Sequence, residues 1–244
     1  MTETLTATAN VPQPNFIARM VGVIFSPQET FAAVVARPRW LGVLLVTLVI
    51  GAACQYVIMS SPDMQGAIVD QQIRAAAERG ATMSDEQIAN TERFMANLGA
   101  IYAGVTFVLG PLFVAIIAGI LFWIFTTMMG GSGTFKQVFA VMVHSGVVST
   151  LAGMLSAGMI LAGVPPSGVR PPGANLGVFV PMLEETSFVT ILLMSIDLIL
   201  VWWLITLAIG LAVLYKRRPG NIAMSLLGIY LVIALLIATF SSGA

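Results

Sequence analysis

Three side chains that could do chemistry stand alone in long apolar stretches of this sequence: Asp197, His144 and Cys54. A carboxylate inside a membrane span is costly, and low dielectric favours its neutral form. Asp197 therefore reads either as a proton-handling group or as an interhelical hydrogen bond that fixes packing. His144 is the only histidine. It offers a haem or pigment one axial ligand at most, and a bis-His site is impossible; a hydrogen-bonded packing histidine is the simpler reading. Catalytic zinc takes three protein ligands and structural zinc four, more than these stretches contain, so no metal is expected. The lone Cys54 excludes an internal disulfide or a cysteine cluster and reads as packing. Adjacent carboxylates occur at Asp85-Glu86 and Glu184-Glu185, the second suiting the positive start of a following helix. GxSxG, HExxH, P-loop and CxxC patterns are absent, so neither an enzyme site nor a cofactor is expected.

Other residues act through shape. Ser145, Ser149, Gly153 and Ala157 recur every four positions, which makes one smooth helix face for close packing. That places their helix at the centre of a bundle. Pro111 lacks the N–H that would bond the Phe107 carbonyl, so it should kink its helix. The methionines read as adaptable apolar filler.

The elements that position these residues follow from composition. The chain is 58% hydrophobic and 9% charged, with mean hydropathy +0.95, whereas soluble domains run near about 25% charged. Its main solvent is therefore the lipid bilayer. A formal net charge of zero argues against a nucleic-acid partner. Five stretches have the length that a hydrocarbon core of about 30 Å requires: Trp40–Met59, Gly99–Met129, Val138–Val164, Phe188–Leu214 and Ile222–Phe240. The expected fold is all-α, an integral membrane bundle of five transmembrane helices.

Ahead of the bundle, residues 1–15 lack an apolar period and should be disordered. Residues 16–37 read as interfacial amphipathic helices. The second of these opens at Ser26-Pro27-Gln28-Glu29, a candidate capping box. Between the first two spans, residues 60–98 carry a second box at Ser84-Asp85-Glu86-Gln87 and a stop at Gly80. This predicts a helical hairpin of net charge −3, three Arg against six Asp and Glu. The loop from Gly163 to Thr186, with Pro165-Pro166 and Pro171-Pro172, should be irregular.

Basic residues set the orientation. Arg19, Arg37, Arg39, Lys136, Lys216, Arg217 and Arg218, 7 of the 11 Lys and Arg, fall on one side. Arg37, Arg39 and Lys216–Arg218 act as cytoplasmic anchors in this scheme, with the N-terminus inside, the hairpin outside and the C-terminus extracytoplasmic. Depth along the helices separates Asp197 from His144, so the two should not pair. Thr106, Gln55 and Tyr56 lie at the depth of the acid, and Thr206, Ser225 and Thr47 at that of the imidazole.

Several short motifs stand in order along the chain: Phe25-Ser26-Pro27 with Thr30-Phe31 and Pro38, then Gly110-Pro111-Leu112, then Gly130-Gly131 with Phe135-Lys136. Asp197, Trp202, Leu207 and Ile209-Gly210-Leu211 complete the set. Their order is similar to that of the Yip (Ypt-interacting protein) domain family in its bacterial branch of five-span inner-membrane proteins. The likeness runs from about residue 20 to 240. Thr106-Phe107-Val108-Leu109 stands where eukaryotic members carry Asp-Leu-Tyr, and His144 where an aromatic is common. The resemblance thus implies the fold and a non-enzymatic class rather than binding of prenylated Rab-type GTPases. Some bacterial relatives are thought to accompany ABC-type exporters. The leading expectation is a non-enzymatic membrane protein that binds or organises a membrane partner complex. The rivals are a transporter or accessory subunit using Asp197, and a structural subunit of a bioenergetic complex.

Overall fold

Local signals decide where the helices begin. The computed structural model describes residues 15–180, 182–184 and 187–241; the expected disordered tail up to residue 14, and Glu185 of the Glu184-Glu185 pair, lie outside them. Ser84 Oγ accepts the Gln87 N–H while Gln87 Oε1 accepts the Ser84 N–H, a closed capping box. Thr134 and Gln137 form another, and start the third long helix at Phe135 rather than Val138. Ser26 forms none. It is also the C-cap of the preceding helix, and its N–H bonds the Gly22 carbonyl. Thr30 Oγ1 donates to the Ser26 carbonyl instead.

The helices are α1 Phe16–Phe25, α2 Pro27–Ala36, α3 Leu41–Met59, α4 Pro62–Glu78, α5 Asp85–Met95, α6 Leu98–Trp123, α7 Phe135–Leu161, α8 Phe188–Met194, α9 Leu198–Tyr215 and α10 Pro219–Ser241. A π-helix, Ile124–Met128, continues α6, and a 3-10 turn spans Leu176–Phe179. The described residues contain no β-strand, only the bridges Ser167–Arg170 and Asn175–Asp197. α3, α6 with its π-helix, α7, α9 and α10 are each long and apolar enough to cross a membrane. The protein is an all-α, multi-pass membrane bundle, and its outward apolar helices meet the bilayer.

α7 stands in the middle, packed on α3, α6 and α9, with α1 and α2 against its first turns. Of its apolar window 56% is buried, against 11% for α6. Close packing around it needs missing side chains. A Cβ on Gly210 of α9 would meet Val141 of α7 at 2.5 Å and the Phe31 ring of α2 at 3.0 Å. Phe31 is fully buried there, so three elements meet at one glycine. At the opposite end of the bundle α4 and α5 pair as a hairpin, seated by Met64 on Cys54, Ile58 and Ala157. A second small cluster of Val69, Met95 and Leu98 joins the hairpin to α6.

The fourth apolar stretch departs from the expected continuous helix over Phe188–Leu214. It breaks at Ser195–Asp197, and only Leu198–Tyr215 has spanning length. Hydropathy alone sees no interruption there, because a single Asp flanked by Ile196 and Leu198 barely lowers the average. α6 runs through Pro111 without a break in helical structure.

Candidate functional site

Asp197 is the N-cap residue of α9, at the start of that spanning helix rather than within it. Its Oδ1 accepts the N–H groups of Ile199 at 2.8 Å and Leu200 at 2.9 Å, two of the donors a helix start leaves unbonded. The broken backbone around it is stitched from elsewhere. Tyr230 of α10 donates its hydroxyl to the Ser195 carbonyl at 2.7 Å and accepts the Asp197 N–H at 3.0 Å. Residues 174–176 pair across the gap, Leu198 N–H to the Ala174 carbonyl and Leu176 N–H to that of Ile196. Irregular backbone at membrane depth survives only when its polar groups are satisfied within the protein, and here they are. Thr106, Gln55 and Tyr56, expected beside the acid, do not bond it; a cap needs no distant partner. Tyr230 was missed in sequence because nothing near it marks which backbone it will reach.

His144 is fully buried in α7. Its Nδ1 lies 2.7 Å from the Ala140 carbonyl one turn earlier, which makes it the N–H nitrogen. Nε2 finds no partner among the described residues. The hydroxyls expected near it are occupied on their own helices: Thr47 by Leu44, Thr206 by Trp202 and Ser225 by Asn221. Back-bonding of this kind satisfies a hydroxyl without any neighbour. The imidazole and Asp197 therefore sit in separate hydrogen-bond systems, and no group of three or more His, Cys, Asp or Glu that could hold a metal ion occurs among the described residues.

The small-residue face divides. Ser145 and Ala157 are buried, and Gly153 approaches Cys54 of α3, where an added Cβ would stand 3.5 Å from its Cβ. Ser149 is exposed and lines a cavity of about 640 Å³ between α3, α6, α7 and α9, along with Gly51, Gly110 and Trp203. At the other end of the helices, the basic residues gather at one rim. Arg37, Arg39 and Lys216–Arg218 are exposed. Arg19 instead turns inward and is 5% exposed; burial, then the charges of Arg39 and Arg37, lower its pKa. It lies within electrostatic reach of His144. Arg217 crosses the rim to donate to the Met129 carbonyl at 2.7 Å. Below it Gly131 and Gly133 of the α6–α7 loop lie against Tyr215, which stacks on Phe125 at 4.8 Å between ring centres.

The comparison with known families bears on this arrangement, for the pattern of the Yip1 domain matches residues 21–241. The chain belongs to the Yip1 domain family. The match starts inside α1 and ends with α10, so the helices before the first span are part of the Yip1 domain and not an appendage. Neither curated proteins nor solved structures give a significant match. Within this Yip1 domain the motif residues have packing tasks. Phe31 meets Gly210 across the α2–α9 contact, Thr30 lies against Gly22 of α1, Gly131 packs on Tyr215, and Gly110 lies against Leu48 of α3.

Proposed function

We propose that this Yip1-domain protein is a non-enzymatic integral membrane protein that binds and organises a membrane partner complex. In this reading it resides in the bacterial inner membrane, with the N-terminus and the basic rim in the cytoplasm and the C-terminus outside. The observation that supports it is the α4–α5 hairpin. It rests on the bundle through a few apolar side chains, Met64, Val69 and Met95 among them. Its remaining surface is mostly polar, with net charge −3 over residues 60–98 and Phe94 also exposed; one side of α4, at Gln71, Arg74 and Glu78, borders the loop Ser167–Arg170, and α5 lies open. A helical pair of this size encloses no site of its own, so its exposed faces suit contact with another protein. An ABC-type exporter is the partner class suggested by the family resemblance.

The transporter reading relied on Asp197 as a titrating intramembrane acid. Its Oδ1 accepts two N–H groups at the start of α9, a structural task that accounts for the carboxylate without transport. The bioenergetic-subunit reading relied on His144, whose Nδ1 is held by its own helix. Neither gains an observation of its own. The test is photo-crosslinking from exposed position Asn90 of the full-length protein in native membranes, followed by mass spectrometry. One membrane complex captured at near-equal stoichiometry is the expected result. Crosslinks to lipid alone, or to no single complex, overturn the proposal.

A further inference from the structure

α10 packs on α8 and α9, and α6 packs on α3 and α7, which leaves a cleft of about 500 Å³ between the end of α6 and the start of α10. Its walls are apolar: Leu121 and Ile124 on one side, Leu226 and Ile229 on the other. Its mouth is cationic, formed by Lys216, Arg217 and Arg218. No Asp or Glu is among the residues lining it. These cations occupy the three-residue connection between two spans, and so lie where hydrocarbon gives way to headgroups. Arg217 is fixed across the mouth by its bond to the Met129 carbonyl.

The backbone adds an independent sign. Lys216 closes α9 in the left-handed region, φ 52°, and the Arg217 N–H reaches back to the Ala212 carbonyl. Glycine fits that position without strain, yet a lysine stands there. An apolar slot beneath a cationic mouth at headgroup level matches one kind of molecule, an amphiphile with a negative head. Basic pockets between spans bind anionic lipid headgroups for this reason, and guanidinium groups favour phosphate through paired N–H donors. We infer that this cleft binds an anionic phospholipid, its phosphate held by Lys216, Arg217 and Arg218 and an acyl chain lying between α6 and α10. The inference stands apart from the partner complex proposed above.

The test is native mass spectrometry of the full-length protein in mild non-ionic detergent, titrated with dioleoyl phosphatidylglycerol or dioleoyl phosphatidylcholine. The phosphatidylglycerol is expected to be retained about tenfold more tightly, a ratio that a few cations at the headgroup plane supply. Lys216→Gly and Arg218→Gln should each reduce that preference several-fold. Lys216→Gly relieves the left-handed backbone, so its melting temperature should hold or rise, which separates lost lipid contact from lost fold. Ser225→Phe, which fills the cleft at an exposed position, should lower retention of phosphatidylglycerol with every charge in place. Equal retention of the two lipids by the wild-type chain overturns the inference. So does unchanged retention of phosphatidylglycerol in Ser225→Phe, which would make the cations a plain surface patch.

Discussion

A capping carboxylate and a titrating one respond differently to the same substitutions. Asp197 holds two backbone N–H groups through one oxygen, and asparagine keeps an oxygen in that place. Asp197→Asn should therefore retain wild-type thermal stability in detergent, while Asp197→Ala should lose about 1 kcal/mol, the usual cost of a missing cap. If Asp197→Asn unfolds as readily as Asp197→Ala, the cap is not what the carboxylate does. Tyr230→Phe should be the harsher change. It strips a partner from the Ser195 carbonyl and from the Asp197 N–H, each exposed to a penalty of about 1–3 kcal/mol if left unpaired. His144 makes the opposite case. Its one bond is to its own helix and its Nε2 is unpaired among the described residues, so replacing it with an apolar ring removes little. His144→Phe should unfold within about 1 kcal/mol of wild type, measured by the same melting assay. A large loss would reveal a partner for Nε2.

At the scale of elements, the contact between α2, α7 and α9 rests on Gly210. A methyl group there would press on Val141 and Phe31 together, and neither can withdraw, because both are buried and held by other neighbours. Gly210→Ala should cost about 1–3 kcal/mol, in the range of an overpacked core, and should loosen α2 first; limited proteolysis near Ala36, compared between the two proteins, reads this out. The same scale shows what was legible in sequence. The five long apolar runs and the Ser84 box depend on residues close together in the chain, and the structure contains those helices. The break before Leu198 depends on Tyr230 and on residues 174–176, which only the folded bundle brings near. Arg19, counted with the basic residues of one side, turns inward and is buried, which its neighbours in sequence do not signal. Helix positions put the hydroxyls of Thr47, Thr206 and Ser225 forward as partners for the imidazole. Each is satisfied one turn away instead, a choice that spacing alone leaves open. Ser26 failed as a cap because two helices share it.

For the molecule as a whole, the basic rim and the hairpin occupy opposite ends of the spans, so orientation is a single two-way question. The charge distribution predicts Ser132, in the α6–α7 loop, inside and Thr82, in the hairpin, outside. Both are exposed and Cys54 is buried, so single cysteines at these positions report cleanly. A membrane-impermeant maleimide should label Thr82→Cys in intact cells or spheroplasts and Ser132→Cys only after lysis; the reverse pattern would invert the protein. The central place of α7 also bears on how such a protein is made. α7 has the lowest mean hydropathy of the five spans and the largest buried share. Two of its neighbours, α3 and α6, are synthesised before it, but α9, which covers Val141 with Gly210, is synthesised after it. While the ribosome is still short of Tyr215, that flank of α7 has no protein against it. The least apolar span is thus complete before the helix that covers this flank of it has been translated.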